Sequence, residues 1–274
     1  MKIGISGLGC VGQAYANIVN KKENLYVYDI RTPTQYDKNN YYNWCSDLNE
    51  LAENSSIILL CLPTPEGKDG RSDISAHLET LELLKETSYT GSVVIKSTIT
   101  PDVLERLFNR FCDLQLAYSP EFLREATAFQ DLLETDMHFV AGNDNACKDY
   151  QQFIKESKTQ YNECKIVSSF KELSLMKYTI NSFLATKVIF FNALYDACEK
   201  EGVDYDSLLE LVKHDGRIGT SHMRVPGTDG NRGFGGMCFP KDTKAFKTYA
   251  GIAPETAHMS DLLETVIDIN QKLR

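Results

Sequence analysis

The feature that most constrains this chain lies at its start. The run Ile3-Gly4-Ile5-Ser6-Gly7-Leu8-Gly9-Cys10-Val11-Gly12 sets a Gly-x-Gly-x-x-Gly pattern directly after a strand-like stretch and directly before a helical one. Gly7 allows a tight turn, Gly9 lets the backbone approach a pyrophosphate, and Gly12 permits close packing of helix on strand. The oncoming helix offers free N–H groups and a positive dipole end to phosphates. Asp29 closes the second strand at the spacing expected of a carboxylate that binds adenosine ribose hydroxyls. Such a carboxylate favours NAD over NADP, whose extra phosphate it would repel, although Arg31 close by leaves that preference open. A turn whose glycines serve packing alone would not account for Asp29. The expectation is a dinucleotide-binding βαβ unit.

Downstream the pattern extends. Strand-like runs at 2–6, 25–30, 56–62, 92–95, 115–118, 138–141 and 165–167 alternate with amphipathic stretches at 11–20, 75–86, 101–110 and 145–155. Apolar strands alternating with helices predict an α/β Rossmann-type domain, a doubly wound parallel sheet covered on both faces. From 170 to 200 apolar residues recur at helical spacing without a strong breaker, which predicts one long helix. Shorter helices are expected at 204–213 and 242–249, and a second long one at 255–273. The Gly-rich segment 215–236, with Pro226, reads as a long ordered loop, and such loops are usually functional. The domains are expected at 1–168 and 169–274, the second all-helical around its long central helix.

Composition narrows the function. A formal net charge of −9 argues against a general nucleic-acid binder, so no nucleic-acid partner is expected. The longest apolar run, 57–62, is too short to span a bilayer, and no membrane association is expected. The eight cysteines include no Cys-x-x-Cys pair, which suggests reduced thiols in a cytoplasmic protein rather than disulfides or a metal site.

Cys238 differs from the other seven in its surroundings. In Arg232-Gly-Phe-Gly-Gly-Met-Cys-Phe-Pro-Lys-Asp it stands between a glycine approach, with Phe234 and Gly235, and a Pro-Lys-Asp helix start. Lys241 and Lys244 nearby, with the amides of the helix N-terminus, would favour its thiolate. Asp242 could cap the helix or act on a water. Lys177 and Asn181 lie four apart in the long helix, so they project from one face, where a cation and an amide donor could stabilise an oxyanion. Glu121 follows a strand end, where α/β proteins place ligands, and could assist a water. Glu125 would contact cofactor or substrate. Thr64 and Thr98 also fall at strand ends, where their hydroxyls could meet the nicotinamide ribose or a water. Taken singly, each of these has a blander reading as a cap, a buried thiol or a polar helix face.

Their order along the chain resembles the UDP-glucose/GDP-mannose dehydrogenase family. Gly-Gly-Met-Cys-Phe-Pro-Lys-Asp is similar to its active-site signature, and Lys96-Ser97-Thr98-Ile99 to its strand-end motif. Ser119-Pro120-Glu121-Phe122-Leu123-Arg124-Glu125 resembles its substrate loop, Lys177 and Asn181 its Lys-x-x-x-Asn pair, and Arg217-Ile218-Gly219 its Arg-Ile-Gly turn. The resemblance implies an NAD-dependent, four-electron oxidation of a sugar C6 alcohol, with Cys238 as nucleophile. Lys177, Asn181, Asp242, Glu121 and Thr98 would share the catalysis. Cofactor contacts would come from Gly7, Gly9, Cys10, Val11, Gly12, Asp29, Thr64, Thr98, Glu125 and Lys241. The nucleotide-sugar substrate would meet Glu121, Phe122, Leu123, Arg124, Lys177, Asn181, Arg217, His222, Phe234 and Gly235.

The chain departs from the family pattern in three places. It reaches Arg274 partway along what resembles a linking helix to a third, Rossmann-like domain, so a short form lacking that nucleotide-sugar-binding wall is expected. The segment 220–232 looks expanded, and its His222, Arg224 and Arg232 could supply phosphate contacts or form a solvated charged loop. After Asp29 the chain is abbreviated, with Tyr41, Tyr42 and Trp44 in place of a longer region. UDP-glucose is the leading substrate, with GDP-mannose or a UDP-N-acetylhexosamine as alternatives. A non-catalytic NAD or nucleotide-sugar binder, and a β-hydroxyacid dehydrogenase using a lysine without a cysteine, are the competing classes. Apolar surface on the two long helices further predicts a homodimer.

Overall fold

The computed structural model describes residues 1–31, 42–136, 138–161 and 163–274. Tyr41 lies outside them. The chain divides into two compact units, one comprising 1–65 with 73–177 and the other 66–72 with 178–274. The division falls inside the long helix, after Lys177, whereas the sequence reading sets the boundary ahead of that helix, near Ser168.

In the first unit the described strands form one eight-stranded sheet in the order β3-β2-β1-β4-β5-β6-β7-β8. They are β1 (Ile3–Ser6), β2 (Leu25–Tyr28), β3 (Asn43–Trp44), β4 (Ile57–Leu60), β5 (Ser92–Ile95), β6 (Gln115–Tyr118), β7 (Phe139–Gly142) and β8 (Lys165–Ile166). The helices are α1 (Cys10–Ile18), α2 (Leu48–Asn54), α3 (Ser75–Glu86), α4 (Pro101–Arg110), α5 (Ala128–Glu134) and α6 (Asp144–Glu156).

Every pairing is parallel except β6 with β7, so the expected doubly wound sheet carries one antiparallel neighbour. A parallel return needs a helix that crosses the sheet. Among the described residues between β6 and β7 the chain carries a 3-10 turn (Glu125–Thr127) and the seven-residue α5, which packs beside α1 instead.

Strand alternation assigns each face of the sheet to its own helices. Ile3, Ile5, Leu25, Val27, Ile57, Leu59 and Val94 face a buried layer with Tyr15 and Ile18 of α1, Leu132 of α5 and Tyr150, Phe153 and Ile154 of α6. Their sequence neighbours Ile58, Leu60, Val93 and Ile95 face Leu51 of α2, Leu81 and Leu84 of α3 and Leu104 and Leu107 of α4. Burial on both faces is why these strands are apolar throughout. The chain reverses its direction of sheet growth between β1 and β4, which opens a crevice at the carboxyl ends of the strands, beside the glycine turn.

The second unit is helical. The long helix α7 (Phe170–Glu201) is followed by α8 (Tyr205–Val212), α9 (Phe239–Ala250) and α10 (Ala257–Leu273). The first turns of α7 belong with the sheet, where Leu173 is buried and Ser174 Oγ donates to Ile99 O at 2.7 Å. Later turns build small helical cores, such as Ala185, Ile189, Phe234 and Val266. The segment between α8 and α9 has no helix or strand but is fastened to α7. Lys187 donates to the carbonyls of Ile218 and Gly219 at 3.0 and 3.2 Å. Tyr205 OH donates to Met223 O at 2.7 Å, and Arg232 reaches Asp196 at 2.8 Å. Among the described residues no helix is long and apolar enough to cross a membrane.

Candidate active site

The glycine turn separates packing from binding. Gly7 has φ +91°, and a Cβ there would lie 2.6 Å from Cys61 O; a Cβ on Gly12 would lie 2.0 Å from Gly7 O. Both positions are closed by the protein itself. A Cβ on Gly9 would meet no protein atom within 4 Å, so that backbone faces open space at the N-terminus of α1. This is the cradle a pyrophosphate requires. Asp29 Oδ2 accepts from Leu8 N at 2.5 Å and Oδ1 from Arg31 N at 2.9 Å, so the carboxylate fastens the turn from the end of β2. Arg31 Nε is 3.8 Å from the same carboxylate, and the guanidinium lies over Trp44 at 5.8 Å.

Thr64 and Thr98 are buried just beyond the ends of β4 and β5. Sequence reasoning missed what links those ends. Ser97 Oγ donates to Leu62 O at 2.6 Å and meets His77 Nε2 at 2.9 Å. Burial holds the His77 pKa down at about 4, so a neutral imidazole serves as the link.

Glu121 and Lys177 come together in the first unit. Glu121 Oε1 lies 3.7 Å from Lys177 Nζ, with side chains only 10% and 4% exposed. Glu121 Oε2 accepts from Leu123 N at 2.5 Å, which fixes the carboxylate within its own loop. Lys177 Nζ also lies 5.4 Å from the Phe122 ring centre. The same loop reaches the glycine turn, where Cys10 Sγ is 3.6 Å from Glu125 O. Burial, with the carboxylates of Glu121 and Glu125, raises the Cys10 pKa. Arg124 points elsewhere, since its backbone and guanidinium all donate to Asp131, at 2.6–3.1 Å.

In the second unit Asn181 Nδ2 donates to Asp242 Oδ2 at 2.6 Å, and Lys241 Nζ donates to Asp242 Oδ1. Asp242 is 0% exposed, so both carboxylate oxygens are satisfied inside the protein. Lys244 pairs with Glu66 at 3.0 Å. Both lysines expected to favour the Cys238 thiolate are therefore already neutralised by carboxylates. The helix itself begins at Phe239 rather than at the expected 242, because Pro240 is accommodated in the first turn, where its missing N–H costs nothing. Half-buried Cys238 is its N-cap residue, and its carbonyl accepts from Asp242 N at 2.9 Å.

The approach to Cys238 is clamped by α10. Asn270 Oδ1 accepts from Phe234 N at 2.7 Å, and its Nδ2 donates to Phe234 O at 3.0 Å. The Phe234 side chain is buried in the helical core, and a Cβ on Gly235 would lie 2.7 Å from the Arg274 guanidinium. Arg217 is not drawn into this arrangement. Its side chain is 89% exposed and bound to Asp215. His222 has φ +62° and lies tilted against the Phe239 ring, centres 5.5 Å apart, while Arg224 is exposed. Arg232, bound to Asn192 and Asp196, fastens its loop to α7.

Residues 32–159 match the NAD binding domain of the UDP-glucose/GDP-mannose dehydrogenase family, and residues 171–272 match the family's central domain. A UDP-glucose 6-dehydrogenase of Rickettsia bellii (strain RML369-C) is 30% identical over 244 residues, 87% of this chain and 54% of that protein. The chain spans about half the length of the curated relatives it matches. Among solved structures, a UDP-glucose dehydrogenase from Pyrobaculum islandicum superposes with TM-score 0.79 at 23% identity, covering 98% of this chain and 68% of that one. The 3-hydroxyisobutyrate dehydrogenase of Mycobacterium tuberculosis has TM-score 0.68 at 16% identity, covering 99% of this chain and 98% of that one. At these identities the structural likeness is one of fold.

Proposed function

Because the chain belongs to the UDP-glucose/GDP-mannose dehydrogenase family, we propose that it oxidises the C6 alcohol of a nucleotide sugar to the carboxylate, with UDP-glucose to UDP-glucuronate the leading case. The observation that carries this reading is the bonding of its buried polar pairs. Lys177 faces Glu121, Asn181 donates to Asp242, and Lys177 and Asn181 stand one turn apart on α7. The glycine turn, Asp29, Thr64 and Thr98 would hold NAD, which when bound supplies the acceptor for both two-electron oxidations.

The chain's own residues carry the remaining steps. Lys177 or Asp242, acting through water, takes the proton from the C6 hydroxyl as the alcohol becomes an aldehyde. Cys238 Sγ adds to the aldehyde carbon, and Lys177 with Asn181 holds the oxyanion of the thiohemiacetal. The N-terminus of α9 favours the Cys238 thiolate now that both nearby lysines are paired. Oxidation of the thiohemiacetal gives a thioester. Water positioned by Glu121, Thr98 or Asp242 cleaves it, releasing the acid and restoring the thiol. Covalent attachment keeps the aldehyde from escaping between the two oxidations.

We also propose a homodimer. Phe183 and Phe190, seven residues apart on one face of α7, are 63% and 64% exposed, a costly pair to leave in water. A monomeric sedimentation mass at micromolar concentration counts against it. The cytoplasm is the compartment we propose, since all eight cysteines are free thiols. The activity is tested by incubating the protein with NAD and each nucleotide sugar and counting NADH per sugar consumed. Two supports the thioester route, and one or none overturns it.

A further inference from the structure

One buried lysine has no part in the reading above. Lys96 follows β5, is 1% exposed, and donates from Nζ to Ser119 Oγ at 2.7 Å and to Tyr150 OH at 2.8 Å. Its ammonium group also lies 4.6 Å from the Tyr15 ring centre and 4.7 Å from that of Tyr150. The two tyrosine hydroxyls are 3.2 Å apart, which closes a continuous chain from α1 through α6 to Ser119. An apolar residue would fill this layer with less desolvation, so a lysine here needs a reason beyond packing.

The other end of the chain supplies one. Ser119 heads the loop that carries Glu121, and its backbone N–H donates to Ile95 O at 3.0 Å. With its hydroxyl taken by Lys96, Ser119 is held by backbone and side chain together. Glu121, two residues on, meets Lys177 and the Leu123 N–H. Tyr15, Ser119, Glu121, Phe122, His138 and Tyr150 line one small cavity beneath the loop, into which the hydrogen-bond chain opens.

We propose that Lys96 is a positioning residue: its ammonium group, acting through Ser119, holds the 119–123 loop and with it the Glu121 carboxylate that faces Lys177. The functional part of this rests on the proposed role of Glu121; the structural part does not.

Charge makes the device adjustable near neutral pH. Burial brings the Lys96 pKa down to about 7, against the opposing pull of Cys61, Cys164 and Glu121. The groups that face it are Tyr15 from α1, Cys61 beyond β4, Glu121 from the loop, His138 before β7, Tyr150 from α6 and Cys164 before β8. Burial keeps both thiols protonated, with pKa values pushed up to about 12, and holds His138 neutral at about 4. Both tyrosine hydroxyls are raised as well. Lys96 is thus the member that changes charge around pH 7, and the neutral amine grips Ser119 less strongly than the cation.

Hydrogen–deuterium exchange of the peptide 119–124 in the full chain, without substrate and corrected for intrinsic rate, reads the grip directly. In the wild type, protection of this peptide falls several-fold between about pH 6 and about pH 8. Lys96→Met exchanges there about tenfold faster at the lower pH and loses the pH dependence, while NAD affinity stays within about twofold. Wild-type protection with an unchanged pH profile in Lys96→Met overturns the proposal. Should that variant not fold, Ser119→Ala removes only the acceptor and must loosen the same peptide; unchanged protection there overturns the proposal equally. In an active enzyme Lys96→Met lowers kcat about tenfold. A chain that oxidises no nucleotide sugar fails the activity reading and leaves the exchange test intact.

Discussion

Gly9 and Gly12 belong to one motif, yet substitution by alanine separates their roles. In Gly12→Ala the new Cβ would start 2.0 Å from Gly7 O and 3.0 Å from Gly7 C, both backbone atoms. Relief requires α1 to withdraw from β1 by about 1 Å, against a buried face that includes Ala14, Tyr15, Ala16 and Ile18. Overpacking of this kind costs about 1–3 kcal/mol, offset by about 1 kcal/mol of helix propensity. A Cβ set 2.0 Å from a backbone oxygen lies at the upper end of that range, so the net loss of about 2 kcal/mol lowers Tm by several degrees. In Gly9→Ala the Cβ meets nothing, and φ −73°, ψ −164° suits alanine. Gly9 is the N-cap of α1, where alanine is poorer by about 0.5–1 kcal/mol, but the stiffer unfolded chain returns about as much, so stability changes by only a few tenths of a kcal/mol. What that Cβ crowds is the approach of a phosphate. Losing one charge-assisted backbone hydrogen bond weakens NAD binding about tenfold or more. Thermal unfolding paired with calorimetric NAD titration separates the two effects. Wild-type NAD affinity in Gly9→Ala, or a wild-type Tm in Gly12→Ala, would refute the assignment.

Three further outcomes are expected. Cys238→Ser halts or traps the acid-forming half-reaction, seen as a fall from two NADH per sugar; full uronic acid production would sink the covalent route. Asn181→Leu leaves Asp242 Oδ2 buried without its donor and costs about 1–3 kcal/mol, measurable by denaturant unfolding; unchanged stability would show that the pair is dispensable. Lys96 makes stability rise with pH. Its folded pKa of about 7 lies below the ordinary 10.5, so between those values the unfolded chain binds more protons. Full burial makes that difference worth about 5 kcal/mol, destabilising below pH 7 and relieved as pH climbs toward 10.5. Because Cys61 and Cys164, whose thiols desolvation raises, oppose the trend at high pH, it is read as the stability difference between wild type and Lys96→Met. A difference independent of pH contradicts the burial argument.

Local rules made much of this fold legible. The alternation of strands with helices, including those at Ser75–Glu86 and Pro101–Arg110, follows from periodicity and from the turn and proline signals at their ends. The helix Leu48–Asn54 escaped although it carries a reciprocal cap, with Asp47 accepting from Glu50 N and Glu50 from Ser46 N. Seven residues are too few for an apolar stripe to show, whereas the Asp-x-x-Glu spacing was there to read. At the site, motif order brought out Glu121, Lys177, Asn181 and Asp242, and local spacing placed Lys177 and Asn181 on one helical face. The supporting partners Ser119, Tyr150, His77 and Asn270 stayed hidden, because each meets its partner across a long stretch of sequence. No periodicity reports a contact between Lys96 and Tyr150. Charge was the other blind spot. Lys241 and Lys244 looked free to attract a thiolate until their carboxylate partners were located in space.

The amide of Asn270 reads the backbone at Phe234 as a neighbouring strand would, giving one hydrogen bond and taking another. Through it the final helix becomes a lever arm whose short end rests four residues from the cysteine. A load applied at Arg274 meets this pair of hydrogen bonds, and with them the approach to Cys238, rather than a slack tail. Reactivity of the Cys238 thiol toward an alkylating reagent therefore doubles as a strain gauge for the far end of the chain.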